Sequence, residues 1–129
     1  TSLNLELNWL GPEGGAAIAE GLKGNSTLQS LNLANNQLCG IDVRGRGTYT
    51  AEGITKLCEG LKGSAVTSLH LCNNNIGAEG ASALAAVLKE TRISKLNIGY
   101  NDIRAEGAST LAGILKETQI TDLNIRYNR

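Results

Sequence analysis

The fold of this chain is decided by a stretch that occurs twice, as AEGASALAAVLKETRISKLNIGYN at residues 78–101 and as AEGASTLAGILKETQITDLNIRYN at residues 105–128. The copies begin 27 residues apart and differ at seven of 24 aligned positions. Self-similarity at a fixed period of about 20–50 residues is the signature of repeat architectures. We therefore expect the 129 residues to form a single domain built from stacked repeats.

Outward from these two copies, a shorter pattern recurs five times along the sequence. Two apolar residues stand two apart, an asparagine follows three positions later, and another apolar residue completes the pattern. Successive patterns are spaced by 28, 38, 27 and 27 residues, so the long interval contains an 11-residue insertion at 39–49. The copies are Leu3-Leu5-Asn8-Leu10, Leu31-Leu33-Asn36-Leu38, Leu69-Leu71-Asn74-Ile76, Leu96-Ile98-Asn101-Ile103 and the shorter Leu123-Ile125-Asn128.

Each unit combines a strand signal with a helix signal. Apolar residues two apart predict a short strand with both side chains on one face. The stripe Ala81-Leu84-Ala85-Leu88 lies at i, i+3, i+4 and i+7 and predicts an α-helix. Each predicted helix begins with a glutamate and ends with a lysine, and both charges complement the helix dipole. These residues are Glu13, Glu52, Glu79 and Glu106, followed by Lys23, Lys62, Lys89 and Lys116.

Stacking such units predicts an α/β horseshoe. Parallel strands pair at about 4.8 Å, whereas helices pack about 8–10 Å apart. The stack must therefore curve as a right-handed α/β solenoid with strands on the concave side and helices on the convex side. The repeated asparagine lies where the backbone leaves the strand, and we expect it to be buried and to satisfy backbone groups there.

The protein is expected to be one repeat domain with units near 1–28, 29–66, 67–93 and 94–120 and a partial unit at 121–129. Neither end carries the polar capping unit that a solenoid needs. We therefore expect a piece of a longer array, whose ends associate with those of other copies.

These residues together resemble the leucine-rich repeat, and specifically its ribonuclease-inhibitor-like class. The stretch LHLCNNNIGAEGASALAAVLKE at 69–90 is most similar to the repeats of intracellular NOD-like receptors. The resemblance covers the whole sequence apart from residues 39–49 and implies the horseshoe fold. It leaves the partner open, because the family includes innate immune sensors, ribonuclease inhibitor and the GTPase-activating protein for Ran.

Composition narrows the classes of partner. Twelve basic and twelve acidic residues give a net charge of zero, which argues against nucleic acid or an anionic membrane as the partner. No apolar run is long enough to span a bilayer. Cys39, Cys58 and Cys72 follow no regular spacing and indicate reduced thiols in a cytoplasmic protein. The glycosylation sequon Asn25-Ser26-Thr27 is then expected to be unused.

The outward-facing strand positions form the candidate binding surface. Side chains between the strand leucines point away from the core, and stacking aligns them in rows. Two of the seven differences between the copies, Lys95/Asp122 and Gly99/Arg126, fall on these rows. Adjacent tyrosines with polar tips are favoured interface anchors. The predicted partner-binding residues are His70, Lys95, Tyr100, Asp122, Arg126 and Tyr127.

One of these rows has two interpretations. It contains Asn4, Asn32, His70, Asn97 and Asn124. Repeated asparagines on an exposed sheet face are consistent with a recognition surface and equally with a solvated amide ladder between strands.

His70 and Cys72 stand two residues apart on this face, and a Cys/His pair is also found in nucleophilic and metal sites. The row neighbours of His70 are Asn32 and Asn97, so no acidic group is in place to orient the imidazole. The sequence has no second histidine to complete a metal site. We therefore expect no catalytic residues, no metal and no cofactor.

The insertion CGIDVRGRGTY at 39–49 leaves a strand end and re-enters a helix. The run Arg44-Gly45-Arg46-Gly47 suggests a mobile cationic loop that binds an acidic partner or a phosphate near the following helix N-terminus. A surface loop that has simply lengthened is the other interpretation. The loop lacks the pattern of a nucleotide-binding loop.

The sequence thus predicts a non-catalytic module that binds another protein on its concave face. One alternative is a regulator that acts on an enzyme in trans, such as a GTPase activator. The other is a purely structural repeat stack with no specific partner.

Overall fold

The computed structural model describes residues 1–128 and shows alternating strands and helices. The strands are β1 (Ser2–Asn4), β2 (Ser30–Asn32), β3 (Ser68–His70), β4 (Lys95–Asn97) and β5 (Asp122–Asn124). The α-helices are α1 (Gly11–Leu22), α2 (Glu52–Leu61), α3 (Gly77–Leu88) and α4 (Arg104–Ile114), and a short 3-10 helix, Leu115–Glu117, follows α4.

The five strands form one parallel sheet in sequence order, β1-β2-β3-β4-β5. The register pairs equivalent positions of successive units, for example Ser68 with Lys95 and Lys95 with Asp122. The sheet is open, and a helix or helical segment follows each of the first four strands. The prediction of an α/β solenoid horseshoe is confirmed.

The core lies between the sheet and the helices and is built almost entirely from aliphatic residues. Strand leucines such as Leu31, Leu69 and Leu96 are fully buried, and helix residues such as Leu57 and Leu84 cover them. Burial of one such side chain stabilises the fold by about 1.5–3 kcal/mol.

Three of the four α-helices begin earlier than the sequence predicted. α1, α3 and α4 start two residues before Glu13, Glu79 and Glu106, and only α2 starts at its glutamate. Each glutamate still lies in the first turn, where a negative charge is favourable. Lys23, Lys62 and Lys89 come directly after the last residue of their helices, and Lys116 lies in the 3-10 helix that follows α4.

The first two helices approach each other more closely than side chains would allow. A Cβ atom added at Gly60 would lie 2.7 Å from the Ala19 carbonyl oxygen, and one added at Gly53 would lie 2.6 Å from the Pro12 carbonyl oxygen. Both glycines face α1, seven residues apart on α2. The packing of these two helices therefore requires that both positions lack a side chain.

The repeated asparagine forms a continuous ladder through the protein. Asn36, Asn74 and Asn101 are buried. The Asn74 Oδ1 atom accepts hydrogen bonds from the backbone N–H groups of Asn36 and Leu38 at 2.9 and 3.2 Å. The Asn101 Oδ1 atom likewise accepts a hydrogen bond from the Asn74 backbone N–H at 2.8 Å. The Asn74 Nδ2 group donates to backbone carbonyls of its own unit and the preceding one. Each side chain therefore bonds two neighbouring units together.

The insertion at 39–49 is bonded to the rest of the protein at both of its ends. Cys39 is fully buried, and the Tyr49 hydroxyl donates a hydrogen bond to the Ile76 carbonyl in the next unit. An antiparallel bridge joins Ile41 to Gly47 across the loop. These fixed ends were not predicted, because no periodic pattern in the sequence reveals them.

Candidate functional site

The concave face carries a shallow groove over β3, β4 and β5. The groove has a volume of about 270 Å³, and its lining includes His70, Lys95 and Asp122. Three of the predicted partner-binding residues therefore lie together. The groove presents one cation and one carboxylate beside polar side chains, a mixture suited to a polar or charged ligand group.

The two predicted tyrosines stack on each other at one edge of this face. The ring centroids of Tyr100 and Tyr127 are 4.5 Å apart with an 18° angle between the planes. Tyr100 is 49% exposed and Tyr127 is 64% exposed. They line a second depression, of about 310 Å³, together with Asn73, Asn75 and Asp102.

The backbone beneath both tyrosines is in the left-handed region, with φ of 56° at each residue. The equivalent residues of the second and third units, Asn35 and Asn73, have φ of 57°, and that of the first unit, Leu7, has φ of 60°. Asparagine is enriched at positive φ, whereas a bulky side chain there is unfavourable. The last two units thus carry aromatic rings at positions where the backbone favours asparagine.

Arg126 connects the tyrosine pair to the strands. Its guanidinium carbon lies 5.1 Å from the centroid of the Tyr127 ring, within cation–π range. Its stem lies against Gly99, where an added Cβ would be 3.4 Å from the Arg126 Cγ atom. The structure therefore groups the predicted residues into two clusters, the groove residues His70, Lys95 and Asp122, and the edge residues Tyr100, Arg126 and Tyr127.

The side chains of the asparagine row make hydrogen bonds within their own units. In four units the asparagine Oδ1 atom accepts a hydrogen bond at 3.0 Å from the backbone N–H two residues later in the same unit. These bonds are Asx turns that end each strand. Each of these asparagines therefore fixes the backbone of its own unit through Oδ1, and within residues 1–128 the side-chain contact between neighbouring strands in this row is that of Asn97 with His70.

His70 replaces the asparagine in the third unit and contacts Asn97. The Asn97 Nδ2 group lies 3.1 Å from His70 Nε2, while the Asn97 Oδ1 atom is occupied by the Gly99 N–H. Among residues 1–128, no group of three or more histidine, cysteine or acidic side chains is arranged to hold a metal ion. The imidazole therefore has an amide as its partner and not the carboxylate that orients a catalytic histidine.

The three thiols are unbonded and protonated at neutral pH. Burial raises the pKa of the Cys39 thiol to about 11, against a weaker opposing effect of its hydrogen bond with Tyr49. Burial also raises the pKa of Cys58 to about 12. The Cys72 pKa is raised by burial and by the Glu6 charge, while the Arg126 charge lowers it. None of these shifts is the downward shift that activates a cysteine nucleophile.

The two loop arginines differ in their surroundings. Arg46 forms an ion pair with Asp42, with Nε 3.0 Å from Oδ2. The Arg46 and Arg44 N–H groups donate to Asp42 Oδ1, and hydrogen bonding, chiefly from the Arg46 N–H, holds the pKa of this carboxyl below its usual value. Arg46 is thus already compensated, and no ion pair to Arg44 occurs within the described part of the protein. From the sequence alone, Arg44 and Arg46 were interpreted as equivalent cations.

Trp9 and Val43 are exposed apolar side chains that the sequence analysis did not single out. Trp9 is 73% exposed at a φ of 50°, and Val43, at the tip of the insertion, is 79% exposed. Trp9 follows the repeated Asn8 directly, at a position held by Gln37, Asn75 and Asp102 in later units. The sequence did contain a signal for this residue, because Trp9 is the only tryptophan and lies at a repeat position that is otherwise polar.

A family model described as Leucine Rich repeat matches residues 1–19, 24–40, 65–85 and 93–112. These segments together cover more than half of the sequence. Among curated proteins, none matches the sequence. Within residues 1–128, no helix has both the length and the apolar character needed to cross a membrane.

Proposed function

Because this protein belongs to the leucine-rich repeat family, whose repeats are generally protein-interaction modules, we propose that it binds a partner protein on its concave face. The proposed contact surface consists of the groove residues His70, Lys95 and Asp122 and the edge residues Tyr100, Arg126 and Tyr127. We propose that it acts by binding alone, without catalysis.

The observation that carries this proposal is the stacked tyrosine pair at positive φ. Residues held in the left-handed region cost about 1–3 kcal/mol when the side chain is bulky, and such strain clusters at functional sites. Asparagine, which the second and third units carry at this position as Asn35 and Asn73, would relieve it. Exposed aromatic rings that are costly to the fold are consistent with selection for contact with a partner.

We also propose that the protein belongs to the ribonuclease-inhibitor-like class and is located in the cytoplasm. An α-helix in each complete unit and a 27-residue spacing support the ribonuclease-inhibitor-like class. The similarity to NOD-like receptor repeats rests on the sequence at 69–90. The three unbonded cysteines support a cytoplasmic location.

The test is a capture experiment with a double variant, Tyr100→Asn with Tyr127→Asn, which installs the residue that earlier units use. This variant should be at least as stable as the natural protein, because asparagine tolerates the left-handed region. It should nevertheless lose the partners that the natural protein retains from a cell extract, as identified by mass spectrometry. Trp9→Asn is the matched control, since it also removes an exposed aromatic ring at positive φ.

An unchanged partner set in the tyrosine double variant would overturn the proposal. Loss of the same partners in Trp9→Asn would show that the effect is not specific to the C-terminal strands. If a captured partner is a GTPase whose hydrolysis of GTP accelerates on binding, the protein is instead a regulator in trans. Failure to retain any specific partner would favour a purely structural stack.

A further inference from the structure

One backbone N–H on the concave face lacks the hydrogen bond that its equivalents make. Glu6, Ala34, Gly99 and Arg126 each donate to the asparagine two residues earlier. In the third unit that asparagine is replaced by His70, and the Cys72 N–H makes no hydrogen bond within residues 1–128. The third unit therefore offers a free donor on the binding face.

The imidazole beside this N–H is held in a defined orientation. Because Asn97 Oδ1 is occupied by the Gly99 N–H, its Nδ2 group is the side that faces His70. Nδ2 is a donor, so the neutral His70 must accept at Nε2 and carry its proton on Nδ1. Both polar groups that the third unit adds, the Cys72 N–H and the His70 Nδ1–H, are therefore donors without an internal acceptor.

The Arg126 side chain lies beside Gly99, the residue that stands between Cys72 and Arg126 in this row. The missing side chain at Gly99 leaves room for the Arg126 stem, and the Arg126 charge is close enough to Cys72 to lower its thiol pKa. No carboxylate that the structure describes lies within ion-pair distance of Arg126. Glu6 is the acid that also affects Cys72, and its Oε1 atom lies 3.4 Å from the Asn35 amide.

We propose that the Cys72 N–H, His70 and Arg126 form a binding site for a carboxylate, supplied by a glutamate or aspartate side chain of a partner protein. A carboxylate has two oxygens that accept from several donors and pairs favourably with a guanidinium. The terminal carboxylate of a polypeptide is usually captured by a nest of consecutive N–H groups. Only one free N–H is present at this site, so an acidic side chain fits better. This inference rests on the proposed function and names the partner chemistry for it.

The probe is N-acetylglutamate N-methylamide, titrated into ¹⁵N-labelled protein and followed by NMR. The Cys72 amide resonance should move downfield and saturate as the carboxylate binds. N-acetylglutamine N-methylamide, which has the same shape without the charge, should produce no saturable shift. N-acetylglycine, which presents a main-chain carboxylate, should bind more weakly than the glutamate probe.

Two variants separate this site from a general effect of charge. His70→Asn restores the residue of the other four units. The Oδ1 atom of the new asparagine should accept the hydrogen bond from the Cys72 N–H and thereby close the site. Arg126→Gln should weaken binding about tenfold, since a hydrogen bond to a charged group contributes enough to change affinity by that factor. Arg92→Gln, an exposed arginine that precedes β4 and lies outside this cluster, is the control and should leave binding unchanged.

For His70→Asn, the Cys72 resonance shift on carboxylate titration is a readout that a purely structural role of His70 would leave unchanged. The variant should raise the midpoint of urea unfolding and lose the Cys72 shift. A rise in stability with carboxylate binding intact would overturn the inference, and so would an equal response to the glutamine probe. Tighter binding of N-acetylglycine would overturn the assignment to an acidic side chain. The tyrosine double variant keeps all three donors, so failure here leaves the capture experiment as an independent test.

Discussion

Replacing Asn74 by alanine should be one of the most destabilising single changes in this protein that leave the aliphatic core intact. The Asn74 Oδ1 atom is the acceptor for the buried N–H groups of Asn36 and Leu38, and the Nδ2 group donates to the carbonyls of Leu33 and Leu71 at 2.9 and 3.0 Å. A buried polar group left without a partner costs about 1–3 kcal/mol. Two orphaned N–H groups, with some relaxation of the loop, predict a loss of about 3 kcal/mol.

The assay is equilibrium unfolding in urea, with Asn97→Ala as the matched comparison. Asn97 is half-buried and loses only its bond from the Gly99 N–H and its contact with His70. A single partly solvated hydrogen bond contributes about 0.5–1.5 kcal/mol. The dependence of free energy on urea concentration should be the same in both variants, so the midpoints report stability directly. Equal losses in the two variants would refute the distinction between a ladder asparagine and an Asx-turn asparagine.

The packing, the thiols and the insertion each lead to a further prediction. Gly60→Ala should lower the free energy of unfolding by about 1–3 kcal/mol, because the new methyl group meets the α1 backbone. The control is Gly113→Ala, which has open space around the new methyl group and should raise the free energy of unfolding by up to about 1 kcal/mol. A stabilised Gly60→Ala variant would refute the close approach of α1 and α2. Since the Cys58 pKa rises from 9.0 to about 12 on folding, its contribution to stability is fully present below pH 9 and is lost as the pH rises toward 12. In urea unfolding over this pH range, the free energy of unfolding should decline less steeply in Cys58→Ala than in the natural protein. An identical decline would contradict the burial of this thiol. Tyr49→Phe removes the hydrogen bond to the Ile76 carbonyl, which should lower the free energy of unfolding by about 1 kcal/mol and accelerate tryptic cleavage after Arg44. The control variant Tyr100→Phe should be cleaved at the rate of the natural protein. Equal rates in the two variants would show that this bond does not hold the insertion.

The sequence predicts the parts of this fold that periodicity controls. Residues such as Leu31, Leu69 and Leu96 repeat because a buried face admits little variation, and their spacing determines both the strands and their register. The buried asparagine was predictable for the same reason, since each unit needs it at the same turn. Helix starts were misplaced by two residues because charge in the first turn does not specify which residue begins it.

The candidate site was only partly predictable, because side-chain spacing does not reveal local hydrogen bonds. The sequence analysis considered only contacts of the Asn97 row with a partner or with neighbouring strands, and it missed the hydrogen bond from the Gly99 N–H, two residues away, to Asn97 Oδ1. The positive φ at Tyr100 and Tyr127 depends on how the backbone turns around Asn101 and Asn128. The pairing of Arg46 with Asp42 depends on the closed insertion, which has no counterpart in the other units.

The asparagine ladder has a consequence for how such a protein gains or loses length. Each rung accepts from the preceding unit and is capped by the following one, so the top and bottom surfaces of a unit fit each other. A tandem duplication of 27 residues therefore adds a rung that is satisfied on both sides, with no compensating substitution elsewhere. The near-identity of 78–101 and 105–128 is what such a duplication leaves behind while mainly the outward side chains have diverged. Length in this architecture can be gained one unit at a time, and new binding chemistry can follow on the added surface.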